Sequence, residues 1–323
     1  MDGLRRQPVP APEAARAPLT APPPPPHDSM IQSTTIQSTM ILSTMMTLPV
    51  SVLILTKNEE KDLPGCLASV SWADDIHVYD SFSGDATVAI ARKHDAVVTQ
   101  RAFDNWATHQ NWGLRNIAFK HPWVLYIDAD ERVTPALREG IAQALESPGE
   151  HVAFQVRRRD FFQGSALMHA QTSPYYMRLF RPEKMRYERL VNPVSLPDGP
   201  VGNVGGFLDH FPFSKGIGQW LERHNSYSTF EARQIIENRR GHSGYSLKKA
   251  LTHPDFHQKR FHQKELFYRL PARPLLKWLY MMIARRAFLD GRAGLTYASL
   301  QAIYEYMIVV KTRELEQETL KES

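Results

Sequence analysis

The chain has 323 residues, with 39 Lys and Arg against 34 Asp and Glu, 42% hydrophobic residues, 23 prolines and one cysteine. That length and balance suit one large or two ordinary folded domains and exclude a wholly disordered chain. A lone Cys66 excludes a disulfide scaffold and a multi-cysteine zinc site, and no uncharged apolar run of 18 residues exists to form a conventional membrane-spanning helix.

Nine of the prolines fall within residues 1–29, and the Ser/Thr/Met/Ile-rich stretch from Met30 to Leu48 carries no charge. Residues 1–48 are expected to form a disordered leader that activity does not need, with Met30, Met40, Met45 and Met46 as alternative starts. Ser and Thr interrupt the apolar run that a secretory signal would require. Pro49 to Leu55 (PVSVLIL) is β-branched and apolar, the pattern of a buried parallel strand. Asn58 is the expected cap of a helix carrying Leu63, Leu67 and Val70. Asp75 to Asp80 (DIHVYD) forms a second strand, and Gly84-Asp85 opens a helix that runs to Lys93. A third strand covers Ala96 to Gln100, a helix Trp106 to Phe119, and a fourth strand Trp123 to Ile127 (WVLYI). Thr134-Pro135 starts a helix ending near Pro148-Gly149, and Val152 to Val156 is another strand. Alternating strands and helices imply a parallel sheet that binds ligands beyond the carboxyl ends of its strands.

The ends of the first, second and fourth strands carry polar residues: Thr56-Lys57-Asn58-Glu59, Asp80-Ser81-Phe82-Ser83-Gly84-Asp85, and Asp128-Ala129-Asp130. The last is the sharpest feature, because i, i+2 spacing in an extended chain puts both carboxylates on one face. Two hard oxygen ligands with open positions suit Mg2+ or Mn2+ bridging a diphosphate.

On these residues the chain resembles the family 2 glycosyltransferases with the GT-A fold, and among them bacterial lipopolysaccharide-core and exopolysaccharide transferases. The matching stretches are SVLILTKNEE (51–60), WADDIHVYDSFSGDATVAIA (72–91) and WVLYIDADERVTPAL (123–137). The resemblance implies a nucleotide-sugar donor, with a UDP-sugar as the expectation, and a divalent cation, Mg2+ or Mn2+, on Asp128 and Asp130. It places Thr56, Asn58 and Glu59 in the nucleotide loop, Asp80 at base and ribose, and Asn111 near the donor, although Gln110 replaces the Arg that commonly precedes that Asn. Ser83-Gly84-Asp85 stands where Ser-Thr-Asp is commoner. Arg178 and Arg181, in the segment RLFR, are implied to hold a phosphate.

An inverting transfer needs a carboxylate to take the acceptor hydroxyl's proton. Relatives often carry a His-Glu or Asn-Glu pair about sixty residues after the acidic motif, but here Pro193 follows Asn192. Glu188, Asp160 and Asp209 are the remaining candidates, with Glu188 preferred. His210 in LDHF and the segment from Trp220 to Gln234 also resemble this subgroup. Thirteen histidines without Cys partners or a His-Glu-X-X-His motif give no zinc site.

Between Lys248 and Arg292 eleven Lys and Arg face three acids, a local net of +8. Leu275 to Leu289 and Leu295 to Val310 read as two amphipathic helices broken at Asp290 to Gly294. They suit either packing on the catalytic domain or the interface of an anionic membrane, and the resemblance favours the second. The expected organisation is therefore a leader over 1–48, a GT-A (Rossmann-like) α/β catalytic domain over 49–235, and a basic helical extension over 236–323. Within the catalytic domain, 49–150 is the nucleotide-sugar half and 151–235 the acceptor half. The expected partners are a nucleotide-sugar donor and a glycan or glycolipid acceptor at the inner face of the cell membrane, with no nucleic acid. Two competing readings are a glycan- or anionic-lipid-binding protein on a degenerate GT-A fold, and a phosphohydrolase of the haloacid dehalogenase type.

Overall fold

The computed structural model describes residues 48–171, 174–188, 193–240, 246–253 and 256–322, and the expected leader lies outside them except for Leu48. Residues 47–323 form one compact unit. Its centre is a nine-stranded mixed sheet. Strands β1 (Val50–Thr56), β2 (Ile76–Asp80), β3 (Val97–Gln100) and β4 (Trp123–Asp128) lie parallel in the order β3-β2-β1-β4. β1 and β4 are buried almost throughout because helices cover both faces, which is why their sequences are continuously apolar.

After β5 (Glu131–Val133), β6 (Ala153–Phe162) and β7 (Ser165–Ala166), β8 (Tyr175–Phe180) inserts antiparallel beside β4 and between β4 and β6. A separate ribbon pairs β9 (Met185–Glu188) with β10 (Val194–Pro197). β11 (Val201–His210) runs parallel to β6 and antiparallel to β5. The pairing of β11 with β6 shifts between Val204 and Phe207, where Gly206 adopts φ +87°. A Cβ at Gly206 would stand 2.4 Å from the Leu137 nitrogen, so glycine lets this strand lie directly against the first turn of the helix Pro135–Glu146.

Helices α1 (Leu63–Ser69), α2 (Thr87–Lys93), α3 (Trp106–Asn116) and α4 (Pro135–Glu146) connect the parallel strands. Asn105 and Thr134 cap α3 and α4 by accepting the Thr108 and Leu137 amides at 2.9 and 3.1 Å. Asn58 does not cap α1. Its φ is +55° and the helix starts at Leu63, because the intervening residues are drawn into a polar loop. Val52, Ile54, Leu125 and Ile127 pack with Leu63, Leu67, Leu137 and Ile141 in the main core.

The C-terminal region is helical: α5 (Ile217–Arg240), α6 (Leu247–Thr252), α7 (Phe256–Phe267), α8 (Arg273–Leu279) and α9 (Gly291–Glu322). Helix α5 runs through the 235/236 division expected from sequence. The expected break at Asp290 to Gly294 falls earlier, where Arg286 is left-handed at φ +55° and a short 3-10 turn covers Ala287–Asp290. Gly294 instead lies inside α9. A Cβ there would meet the Ala287 carbonyl oxygen at 2.0 Å, so this glycine permits close packing of the turn on the helix. α9 is fastened to α5 by Lys311 on Asn225 and Thr229, and to α8 by the buried Arg273–Glu305 pair at 3.3 Å.

Candidate active site

Strand register brings the sequence-predicted residues to one edge. Thr56 lies opposite Asp80, Asp80 opposite Gln100, and Asp128 opposite Leu55, so four strands end within one residue of one another. Asp80 is fully buried and binds its own loop: it accepts from Thr56 Oγ1 (2.9 Å), the Ser83 amide (2.9 Å), Ser83 Oγ (2.5 Å) and Gln100 Nε2 (2.9 Å). Burial alone would raise its pKa, but these donors from Ser83, Gln100 and Thr56 hold it below the usual carboxylate value. Asn58 Oδ1 accepts the Gly84 amide at 2.9 Å, and the Asn58 amide donates to Ser83 Oγ at 2.8 Å. The loops after β1 and β2 are thus one hydrogen-bonded unit.

A third loop closes on them. Phe211 donates its amide to the Asp130 carbonyl at 2.9 Å, and Ser214 Oγ donates to Asp62 at 2.6 Å. Lys215 Nζ donates to the Asn58 carbonyl at 2.8 Å and to Glu59 Oε1 at 2.6 Å. The other oxygen, Glu59 Oε2, is buried without a hydrogen-bond partner among the described residues. Burial, aided by the nearby charges of Asp130 and Asp62, pushes the Glu59 carboxyl up to about 7 against the pull of Lys215.

The acidic motif reaches solvent, with side-chain exposures of 39% for Asp128 and 25% for Asp130. Arg178 Nη2 donates to Asp128 Oδ2 at 2.8 Å and to Glu131 Oε1 at 2.6 Å. Glu131 is fully buried, and its Oε2 accepts the Asp128 amide at 3.0 Å. Burial raises its pKa although the Arg178 charge works the other way. Burial likewise opposes the charge on Arg178, but Glu131 and Asp128 outweigh it and the guanidinium stays protonated. On the other side, His210 Nε2 stands 3.4 Å from Asp130 Oδ2, while its Nδ1 is 2.9 Å from Asp160 Oδ1. Burial disfavours the imidazolium, yet hydrogen bonds to Asp130 and Asp160 hold His210 up at about 9. Asp130 would also be raised by burial, but His210, with the charges of Arg158 and Arg223, brings it down to about 2. Both members of this pair are ionised at neutral pH.

Two of the expected ligand residues, Asn111 and Arg181, lie elsewhere or are fully engaged, and the neighbouring Lys57 is engaged as well. Asn111 exchanges two 2.8 Å hydrogen bonds with the backbone of Tyr187, which clips β9 to α3 and occupies its amide. Arg181 stacks over Trp123 at 4.9 Å. Because β8 runs antiparallel to β4, Arg178 reaches the carboxyl end of β4 and Arg181 its opposite end. Lys57 spends its ammonium on the Ser81 and Phe82 carbonyls.

The three candidate bases also separate. Asp209 and His210 alternate on β11, so Asp209 faces away and pairs with Arg159 at 2.7 and 3.0 Å. Glu188 has a 59% exposed side chain beside Arg186 at 3.5 Å and belongs to the separate ribbon. Asp160 is brought to the acidic motif: besides His210 it meets Arg158 Nε at 3.2 Å and Gln171 Nε2 at 2.5 Å. Pro193 precedes β10, and Arg189 to Asn192, part of the segment set against the family's His-Glu or Asn-Glu pair, lie outside the described residues. Sequence reasoning missed Glu131, Arg158 and Lys215 as parts of the site. Glu131 directly follows the acidic pair, a signal that was available, whereas nothing local marks Lys215.

A family profile, Glycosyl transferase family 2, matches residues 51–207. A lipopolysaccharide core biosynthesis glycosyltransferase, LpsC of Rhizobium meliloti, is 29% identical over 274 residues, covering 82% of this chain and 92% of its own. An uncharacterized glycosyltransferase of Rickettsia typhi is 22% identical over 282 residues, covering 82% and 87%. Among solved structures, S. aureus TarS 1-349 superposes with a TM-score of 0.37 at 14% identity, covering 85% of this chain and 92% of that one. The ordered motifs on β1, β2 and β4 lie inside the matched span, and together with the Rhizobium meliloti relative they support a family 2 glycosyltransferase.

Proposed function

We propose that this glycosyltransferase moves a sugar from a nucleotide diphosphate, a UDP-sugar, to a hydroxyl of a lipid-linked glycan, with inversion at the anomeric carbon. Lipopolysaccharide core or exopolysaccharide is the acceptor class, by likeness to the Rhizobium meliloti relative. The observation that carries the reading is the level placement of solvent-reaching Asp128 and Asp130 with the Thr56 and Asp80 loops.

Asp128 and Asp130 would hold Mg2+ or Mn2+. Among the described residues no group of three His, Cys, Asp or Glu forms a complete protein cage. Two carboxylates on an open edge fit an ion that takes its other ligands from phosphate and water. When bound, such an ion neutralises charge on the departing diphosphate. Arg178, fixed by buried Glu131, adds positive charge at Asp128, and His210 adds it at Asp130. Glu59 offers its unpartnered oxygen to a donor hydroxyl. Asp160 is the retained candidate for taking the acceptor's proton, with His210 and Gln171 fixing its carboxylate. Contact with the inner face of the cell membrane belongs to the same reading; among the described residues no helix is long and apolar enough to cross a bilayer.

The test is release of UDP from UDP-sugars by the purified chain in Mn2+. Asp130→Asn is expected to lower the rate roughly a hundredfold or more, in line with loss of a principal electrostatic group. An unchanged rate would refute the metal role.

A further inference from the structure

We propose that the stretch from Leu276 to Leu295 is a docking face for an anionic lipid surface. The proposal rests on the reading of a lipid-linked acceptor and assigns the face that meets the lipid. Along α8 and the wide turn that continues it, Trp278, Met281 and Met282 pack inward against the cluster that includes Phe162, Trp220 and Leu300. Leu276, Tyr280 and Ile283 recur at i, i+4 and i+7 on the other side, with exposures of 36%, 54% and 71%. Phe288 and Leu289 follow in the 3-10 turn at 55% and 54%, and Leu295 in the first turns of α9 at 45%. At roughly 200 Å² per large side chain these six expose on the order of 600 Å² of apolar residue, the upper end for a monomer with no partner.

Charge decides what fits there. Between Arg273 and Ser299 the sequence holds five basic residues and one acid, Asp290. That acid is withdrawn from the surface: it accepts the amides of Met168, His169 and Ala170 at 2.7–3.2 Å and pairs with His169 Nδ1 at 2.7 Å. Arg273 is buried with Glu305, and Arg285 donates to the His169 carbonyl. Arg286 and Arg292 are exposed within the apolar stretch. Arg292 also lines an open cleft of about 510 Å³ with Gln163, Ser165 and Thr296. Exposed apolar side chains interspersed with arginines match an interface of acyl chains and anionic headgroups.

The same root ties this face to the active site. The segment that wraps Asp290 continues to Gln171, which donates to Asp160, and Tyr297 of α9 donates to Gln171. Asp160 in turn holds His210 beside Asp130. A protein seated on lipid through Leu276 to Leu295 therefore has its acceptor-side carboxylate anchored to the seated segment.

The test is co-sedimentation of the full chain with vesicles of phosphatidylcholine alone and of phosphatidylcholine with phosphatidylglycerol at three to one. The wild type is expected to bind the anionic vesicles roughly tenfold more tightly or better. Tyr280→Ser with Ile283→Asp should lower binding at least about tenfold, and Arg286→Gln with Arg292→Gln should abolish the preference for anionic lipid. Both pairs are exposed, so melting by circular dichroism should be unchanged. Absence of vesicle binding, or binding that neither pair alters, overturns the proposal. A dimer in light scattering that Ile283→Asp dissolves also overturns it, by showing that a second copy covers the face. The assay contains no donor or acceptor. Thermal stabilisation by UDP with Mn2+ reports separately on the sugar-transfer reading: its absence in a wild type that still binds vesicles counts against that reading alone, and both variant pairs should retain the wild-type stabilisation.

Discussion

Replacing Arg178 by Met exposes how the acidic motif is held. Arg178 is 6% exposed and bonds both Glu131, which is fully buried, and Asp128. Met keeps the apolar stem but leaves the Glu131 carboxylate with the Asp128 amide at 3.0 Å and an Arg158 ion pair at 3.7 Å. Removing one partner of a buried pair costs about 3–5 kcal/mol. The surviving contacts place this case at the lower end, about 3 kcal/mol, or about 5 °C in Tm for a unit of this size. Burial already raises the Glu131 pKa, and losing Arg178 must raise it further. A carboxyl with a raised folded pKa is least costly when protonated, so the deficit should shrink as pH falls and grow as it rises. Urea unfolding at pH 5, 7 and 8.5 measures this directly. The double variant Arg178→Met, Glu131→Leu should recover at least half of the loss, because no buried charge is then left alone. A deficit below about 1 kcal/mol, or one that grows as pH falls, would refute the reasoning.

Other outcomes follow from the same geometry. His210 is held at about 9 by Asp130 and Asp160, so its contribution to stability is full below about 6.5 and fades as pH rises through 9. The contribution is on the order of 3 kcal/mol, and His210→Gln should flatten the stability profile between pH 7 and 10 in thermal melts. Asn111→Ala should cost about 1–3 kcal/mol by orphaning the Tyr187 backbone while leaving UDP affinity unchanged in calorimetry; weakened UDP binding would place Asn111 against the donor. Asp209→Asn and Glu188→Gln should each keep at least about half of the transfer rate, whereas Asp160→Asn should lower kcat by roughly a hundredfold or more.

The sequence reveals the nucleotide half well because its signals are local. Apolar runs on β1 and β4 end in polar residues, and the parallel register then sets Thr56, Asp80 and Asp128 level without further information. Thr134-Pro135 was legible for the same reason, since a cap and an N1 proline act within one turn. Asn58 misled: an Asn two residues beyond a strand reads as a helix cap, but tertiary bonds to Ser83 and Gly84 hold it left-handed. RLFR offers two equivalent arginines, and only the antiparallel insertion of β8 sends Arg178 to the site and Arg181 to the opposite end. The acceptor side was least legible because its residues meet across long separations. Lys215 reaches Glu59, and His210 reaches Asp160, through pairings that no local spacing encodes.

The central claim is that Asp128 and Asp130 bind a nucleotide diphosphate together with a divalent cation. Calorimetric titration of UDP into the wild type and Asp130→Asn, each with Mn2+ and with EDTA, tests it most directly. Mn2+ is expected to tighten UDP binding in the wild type by about tenfold or more and to have no effect in the variant. Equal UDP affinity in Mn2+ and EDTA, or the same Mn2+ effect in Asp130→Asn, would contradict it.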